Sequence, residues 1–152
     1  MLSKIIVFFD RVIGRRFYRL HCRVYKWSDG RLGHWSPAGR MLLLTTTGRK
    51  SGLARTHPLL YMPRDDGFVV VGSNGGREEP PAWILNLEAT PTVKVQVGRK
   101  KYTAQAQILG ATEKAALWPT LTTYYKGWGD YQKLTERQLN VVTLTPQPTA
   151  TA

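Results

Sequence analysis

The residues best equipped for chemistry lie in one short stretch. Between the apolar runs Met41–Leu44 and Leu59–Met62 the chain reads Thr47-Gly48-Arg49-Lys50-Ser51-Gly52-Leu53-Ala54-Arg55-Thr56-His57-Pro58. Gly48 and Gly52 bracket a turn and supply backbone freedom there. Arg49, Lys50 and Arg55 bring two guanidinium forks and an ammonium point charge, and Ser51 adds a hydroxyl. Backbone N–H groups of such a turn form a nest for an anion. The pattern is not a phosphate-binding P-loop, because the spacing differs and the turn leads into a strand rather than a helix. The plain alternative is a solvated hairpin tip. Two features favour a ligand: Arg55 lies beyond the turn, within the returning strand, and a second glycine-rich turn follows at Gly72-Ser73-Asn74-Gly75-Gly76. His57, before Pro58, reads either as part of the same site or as a strand histidine bonded to backbone.

A second group is aromatic. Tyr125, Trp128 and Tyr131 follow a helical segment and alternate with Gly127 and Gly129. The spacing predicts a break over 126–129 and an aromatic wall bent over a pocket mouth. The alternative is a cap on the core, since aromatic side chains are first of all large apolar bodies. His21, His34 and His57 are scattered, and no Cys/His cluster has metal-ligand spacing. The single Cys22 excludes an intramolecular disulfide and fits a reducing compartment.

The elements that must position these groups follow from composition and period. With 152 residues, 42% hydrophobic and 11% aromatic, the chain is long and apolar enough for one domain with a real core. Net charge is +12, and it is lopsided: residues 1–64 hold 13 Lys/Arg against 2 Asp/Glu, and residues 65–152 hold 9 against 8. Anionic lipid, nucleic acid or a polyanionic cofactor would each suit the basic half.

Residues 1–27 form a basic amphipathic unit, with Ile5, Phe8, Phe9, Val12, Ile13, Phe17, Leu20 and Val24 at helical spacing and arginines between them. Its apolar run is too short for a signal-peptide core or a membrane span. It lies either in a membrane interface or against its own domain. A loop over 28–40 carries Trp35, expected to plug the core edge. Strands are expected at 41–47, 55–63, 68–71, 92–97, 101–109 and 139–144, and helices at 81–89, 112–125 and about 130–136. Domain limits fall at 28–145, with a flexible tail over 146–152. About six strands in antiparallel hairpins, without βαβ alternation, give a mainly β (α+β) fold: a small barrel with appended helices.

The blocks Leu43-Leu44-Thr45-Thr46-Thr47-Gly48-Arg49-Lys50-Ser51-Gly52, Arg55, Pro58-Leu59, Ser73 with Gly75-Gly76, Trp83 with Leu85-Asn86-Leu87, Trp118-Pro119 and Asp130-Tyr131-Gln132 together resemble the deazaflavin-dependent nitroreductases. These are actinobacterial proteins that use coenzyme F420. The resemblance spans about residues 25–144 and implies a split β-barrel. It also implies hydride transfer from reduced F420 to a quinone, with nitroaromatics as further acceptors. By the same resemblance Arg49, Lys50, Ser51 and Arg55 contact the cofactor's phosphate and glutamate tail, with His57 and Pro58 beside them. Ser73, Asn74, Gly75 and Gly76 form the loop against the deazaflavin, followed by Ala82 and Trp83. Tyr125 and Tyr131 line the substrate side as wall and proton donor, with Trp128 between them. Three positions depart from the family's usual residues: His57 for Asn, Asn74 for Lys and Trp128 for Tyr.

A basic nest suits a tail of phosphodiester and carboxylates. The rival enzyme reading is an FMN split-barrel oxidoreductase, whose phosphate would suit the same nest. The rival outside enzymes is a basic binding module for nucleic acid or an anionic membrane. Against nucleic acid, cations and aromatics do not interleave on one strand pair as a base-stacking platform requires. The expected location is cytoplasmic, peripheral on the inner face of the plasma membrane.

Overall fold

The computed structural model describes residues 16–148. The first element is a helix over 16–27, α1; the rest of the helix expected over 2–27 lies outside the described residues. Eight strands follow: β1 (Trp35–Ser36), β2 (Gly39–Thr47), β3 (Ala54–Leu60), β4 (Met62–Arg64), β5 (Gly67–Gly72), β6 (Thr92–Val97), β7 (Lys100–Ile108) and β8 (Asn140–Pro146). Three more helices are inserted: α2 (Ala82–Ala89) between β5 and β6, then α3 (Ala111–Tyr124) and α4 (Lys126–Lys133) between β7 and β8.

Every strand pairing is antiparallel. The path runs β1-β2-β6-β7-β8-β5-β4, with β3 on the other side of β2. β3 and β4 are consecutive in the chain, with only Tyr61 between them. One bent strand thus serves both ends of the sheet and curls it into a split barrel, as expected. The count of eight against six expected strands has two sources. The 55–63 strand is broken at Tyr61, and the short β1 forms where a loop was expected.

Side-chain alternation explains the apolar runs. Leu42 and Leu44 point into the barrel, while Leu43 points outward and packs with Cys22 and Tyr25 of α1. Val70 faces the barrel core, and Val69 and Val71 face a second cluster with Leu121 and Trp128 under α3 and α4. A strand covered on both faces has no polar side to show, so Phe68-Val69-Val70-Val71 reads as continuous. Trp83, Ile84 and Leu87 of α2 plug the barrel.

Three local expectations need correction. Gly127 and Gly129 do not break the helix; they lie inside α4. The break is at Tyr125, whose backbone is extended (φ −140°, ψ 105°). Its ring lies over Gly127, where an added Cβ would collide with it, so this glycine makes room rather than flexibility. The helix expected at about 130–136 begins earlier, at Lys126, and ends at Lys133, so Asp130 sits within α4 and not at its start. Trp35 does not plug the core: it is 72% exposed. Of the 146–152 tail, Pro146 closes β8, and residues 149–152 lie outside the described residues.

Candidate functional site

The β2–β3 turn is built around its glycines. The Gly48 N–H donates to the Leu53 carbonyl and the Gly52 N–H to the Gly48 carbonyl, both at 2.8 Å. Gly52 is left-handed (φ 69°), which favours glycine there. The Ser51 hydroxyl oxygen accepts from the Leu53 N–H at 3.2 Å and so shapes the turn from within.

Beside this turn lies a cavity of about 270 Å³. It gathers Arg49, Lys50, Ser51, Arg55 and His57 from the hairpin with Ala82 from the start of α2. Among the described residues no carboxylate lines it. Asn86, unmarked as a site residue in the sequence, lines it too; it is buried, and its amide joins the helix to the turn. The signal was one polar residue inside the apolar run Ile84-Leu85-Asn86-Leu87.

His57 Nδ1 is buried and has no hydrogen-bond partner. Burial, and then the charge of Arg55, hold its pKa below the ordinary 6.5. The ring is therefore neutral at pH 7, with a polar atom to offer to a ligand. A cationic cavity, free of carboxylate and holding an unpartnered imidazole nitrogen, fits an anionic cofactor tail.

The other residues expected on the cofactor side are placed differently. Pro58 is a buried β3 residue opposite Leu43. Trp83 is 3% exposed and belongs to the barrel core. Ser73 opens a short turn in which Asn74 (φ 47°), Gly75 (φ 63°) and Gly76 (φ 78°) are all left-handed. Asn is among the side chains that best tolerate this conformation, and its Nδ2 also donates to the Glu79 carbonyl at 2.8 Å. The departure at this position thus has a local use. Nothing approaches within 4 Å of a Cβ built on Gly75, so that side of the turn is open. Gly76 is pressed against the end of α4, where a Cβ would come 2.8 Å from the Tyr131 carbonyl.

On that helix the Tyr125 and Trp128 rings meet edge to face with centroids 5.4 Å apart, and Tyr124 stacks on Trp128 at 6.3 Å. Trp128, expected in an aromatic wall on the substrate side, is 3% exposed and packs in the core cluster under α3 and α4. Burial, then the Tyr131 hydroxyl beside it, raise the Tyr125 pKa above 10.0. Its hydroxyl keeps its proton at neutral pH. A second cavity of about 450 Å³ opens between Met62 of β4 and Pro119, Thr120, Thr123 and Tyr124 of α3. Tyr124 was not marked in the sequence.

Residues 17–146 match the sequence model of the family described as F420H(2)-dependent quinone reductase. The chain belongs to that family. An F420H(2)-dependent quinone reductase of Mycobacterium tuberculosis is 36% identical over 140 residues, 90% of this chain and 94% of the relative. The same figures hold for a protein of Mycobacterium bovis described as a putative member. Among solved structures, an F420-H2 dependent reductase (FDR-A) superposes with a TM-score of 0.63 at 34% identity, covering 68% of this chain and 92% of that one. A second structure, described as a domain-swapped dimer, reaches 0.66 at 31% identity over 83% and 94%. The heme storage protein HutZ of Vibrio cholerae shares the fold alone, with a TM-score of 0.53 at 14% identity, over 72% of this chain and 82% of that one. The family is one of oxidoreductases, and its description names the quinone reduction that the resemblance implied; the nitroreductase label is not part of that description.

Proposed function

We infer that this chain reduces a quinone with F420H2 and holds the cofactor's anionic tail in the cavity of the β2–β3 turn. The observation that carries this reading is the convergence of Arg49, Lys50, Arg55 and the unpartnered His57 on one cavity without a carboxylate. F420H2 supplies the hydride when bound. Arg49 and Arg55 offer forks to phosphate and carboxylate, Lys50 a point charge, and Ser51 and Ala82 close the rim. Ser73, Gly75 and Gly76 present the open side of their turn to the ring. Tyr125, held protonated, and Tyr131 beside it offer a proton or hydrogen bond to the oxygen on which charge develops. The same aromatic wall suits a nitroaromatic acceptor. FMN finds no support among the relatives above, and a polyglutamate tail uses more of the cationic set than one phosphate does.

The test is a fluorescence titration with F420 and, separately, FMN, for the wild type and an Arg49→Ala, Arg55→Ala double variant. Expected is F420 binding that weakens by about 10-fold or more in the variant, as lost charge-assisted bonds of about 1.5–3 kcal/mol imply. Equal F420 affinity in a folded double variant, or a preference for FMN, overturns the assignment.

A second reading concerns location, and α1 favours it. Its buried side is Cys22 and Tyr25, while Phe17, Leu20 and Trp27 on the opposite side are 64%, 58% and 82% exposed. Arg16, Arg19 and Arg23 flank them. An apolar stripe edged by cations suits the interface of an anionic membrane. No described helix is long and apolar enough to cross one. Sedimentation with anionic vesicles should carry the protein down at low salt and release it at high salt. Equal recovery with neutral and anionic vesicles rules out the electrostatic part.

A further inference from the structure

Arg137, in the connection between α4 and β8, has its guanidinium under the turn that follows β5. Its Nε donates to the Arg77 carbonyl at 2.8 Å, and its Nη2 donates to the carbonyls of Gly72 and Ser73, each at 3.0 Å. One planar cation thus holds three carbonyls spanning the left-handed Asn74–Gly76 turn. The arginine is itself braced from α4. Gln132 Nε2 donates to the Arg137 carbonyl at 2.8 Å, and Gln132 Oε1 accepts from the Leu139 N–H at 3.0 Å. Gly76 meets the same helix at the Tyr131 carbonyl. The turn and the tyrosine-bearing helix therefore meet at one guanidinium and one close packing contact.

An ordinary surface arginine would point its fork at a carboxylate. The Glu78 charge does act on Arg137, yet its hydrogen bonds go to backbone carbonyls. Gly75 and Gly76 take up the left-handed conformation freely, but Asn74 does so at some cost and the glycines leave the turn many alternatives, so one arrangement persists only where the surroundings fix it. Arg137 supplies that constraint. A lysine at this place could not reproduce it, because an ammonium lacks the fixed fork that spans separated acceptors.

We propose that Arg137 is a positioning residue for the reaction: it fixes the Ser73–Gly76 turn against α4, and it serves turnover rather than capture of the anionic tail. This rests on the reading of Ser73, Gly75 and Gly76 as the turn against the deazaflavin. The tail-binding cations lie on the β2–β3 hairpin, so affinity and turnover separate. A misplacement of about 1 Å is enough to cost on the order of 100-fold in rate.

The experiment uses the full chain with Arg137→Gln, Arg137→Lys and Arg137→Ala. It measures kcat and KM for a quinone with F420H2, the F420 dissociation constant by fluorescence, and amide exchange over 72–77 without cofactor. Expected are a kcat lower by about 10-fold or more in all three variants, an F420 affinity within about threefold of wild type, and faster exchange confined to the turn. Millimolar methylguanidinium should restore part of kcat in Arg137→Ala, and methylammonium should not. Unchanged kcat in folded variants overturns the proposal. So does a loss that is wholly weaker F420 binding at unchanged kcat, and so does failure of all three variants to fold, which makes the residue a requirement of the fold. Gly75→Asn, which tolerates the left-handed backbone (φ 63°) and puts a side chain on the open side of the turn, separates this from the underlying reading. Unchanged F420 affinity and turnover in Gly75→Asn remove the turn from the cofactor and the proposal with it. Weakened F420 binding in Gly75→Asn beside normal turnover in the Arg137 variants removes the positioning role alone.

Discussion

Asn86 holds Arg49 at two atoms: its Oδ1 accepts from the Arg49 backbone N–H at 3.1 Å and from Arg49 Nη1 at 3.4 Å. Its Nδ2 donates to Thr46 Oγ1 at 3.1 Å, in the last turn-ward residues of β2. The helix that plugs the barrel thus sets the base of the cationic turn. Asn86→Leu removes all three bonds, and a buried group so orphaned, here the Thr46 hydroxyl, costs about 1–3 kcal/mol. Urea unfolding should show a loss of that size, and F420 affinity should fall several-fold because Arg49 is no longer presented. A stability loss with unchanged affinity means that Arg49 finds the tail without help from α2.

His57 predicts a pH dependence. Its pKa is depressed in the folded protein by burial and by Arg55. The stability linked to its neutral form is present above the ordinary 6.5 and is lost as pH falls through the lower, folded value. An anionic ligand in the cavity favours the imidazolium and raises its pKa, so binding takes up a proton between the depressed pKa of the free protein and the higher one of the complex. F420 affinity of the wild type should therefore rise from pH 7 to 5.5 more steeply than that of His57→Asn. Parallel profiles mean that His57 does not titrate on binding.

The hairpin and its cations were legible because apolar runs of strand period flank a turn rich in glycine and charge. The barrel was legible because short strands recur without intervening long helices. The residues that tie parts together were not. Arg137, in Thr135-Glu136-Arg137-Gln138, reads as one more surface cation, since its acceptors are carbonyls some 60 residues earlier in the chain. Gly127 and Gly129 read as helix breakers on propensity, and the packing of the Tyr125 ring overrides that. Trp35 shows the converse: apolar character alone does not say which loop residue is covered.

Tyr25 predicts a stability effect away from the site. It is fully buried, its hydroxyl accepts from the Gly98 N–H at 2.7 Å and it donates to the Met41 carbonyl at 3.1 Å. It therefore ties α1 to β2 and to the β6–β7 turn. Tyr25→Phe should lower unfolding free energy by about 1–3 kcal/mol, the cost of unsatisfied buried partners, while kcat at saturating F420H2 stays unchanged. A neutral effect on stability means that water replaces the hydroxyl.

The contact of Tyr125 with Gly127 gives the last prediction. A Cβ at position 127 would collide with the ring and hydroxyl of Tyr125, so Gly127→Ala must displace that side chain without touching the cationic cavity. Turnover of a quinone should fall while F420 affinity holds. Tyr125→Phe and Tyr131→Phe then separate chemistry from shape. Because burial and Tyr131 raise the Tyr125 pKa, its hydroxyl stays a proton donor through and above neutral pH, and loss of that donor appears only on the alkaline side of 10.0. If a hydroxyl serves the developing oxyanion, one Phe variant should lose about 10-fold or more in kcat, within the range of general acid catalysis. If both Phe variants keep full turnover and Gly127→Ala does not, the ring and not the hydroxyl serves the substrate. Full turnover in all three places the acceptor elsewhere, and the cavity beside Tyr124 is then the one to probe with Thr120→Trp and Thr123→Trp.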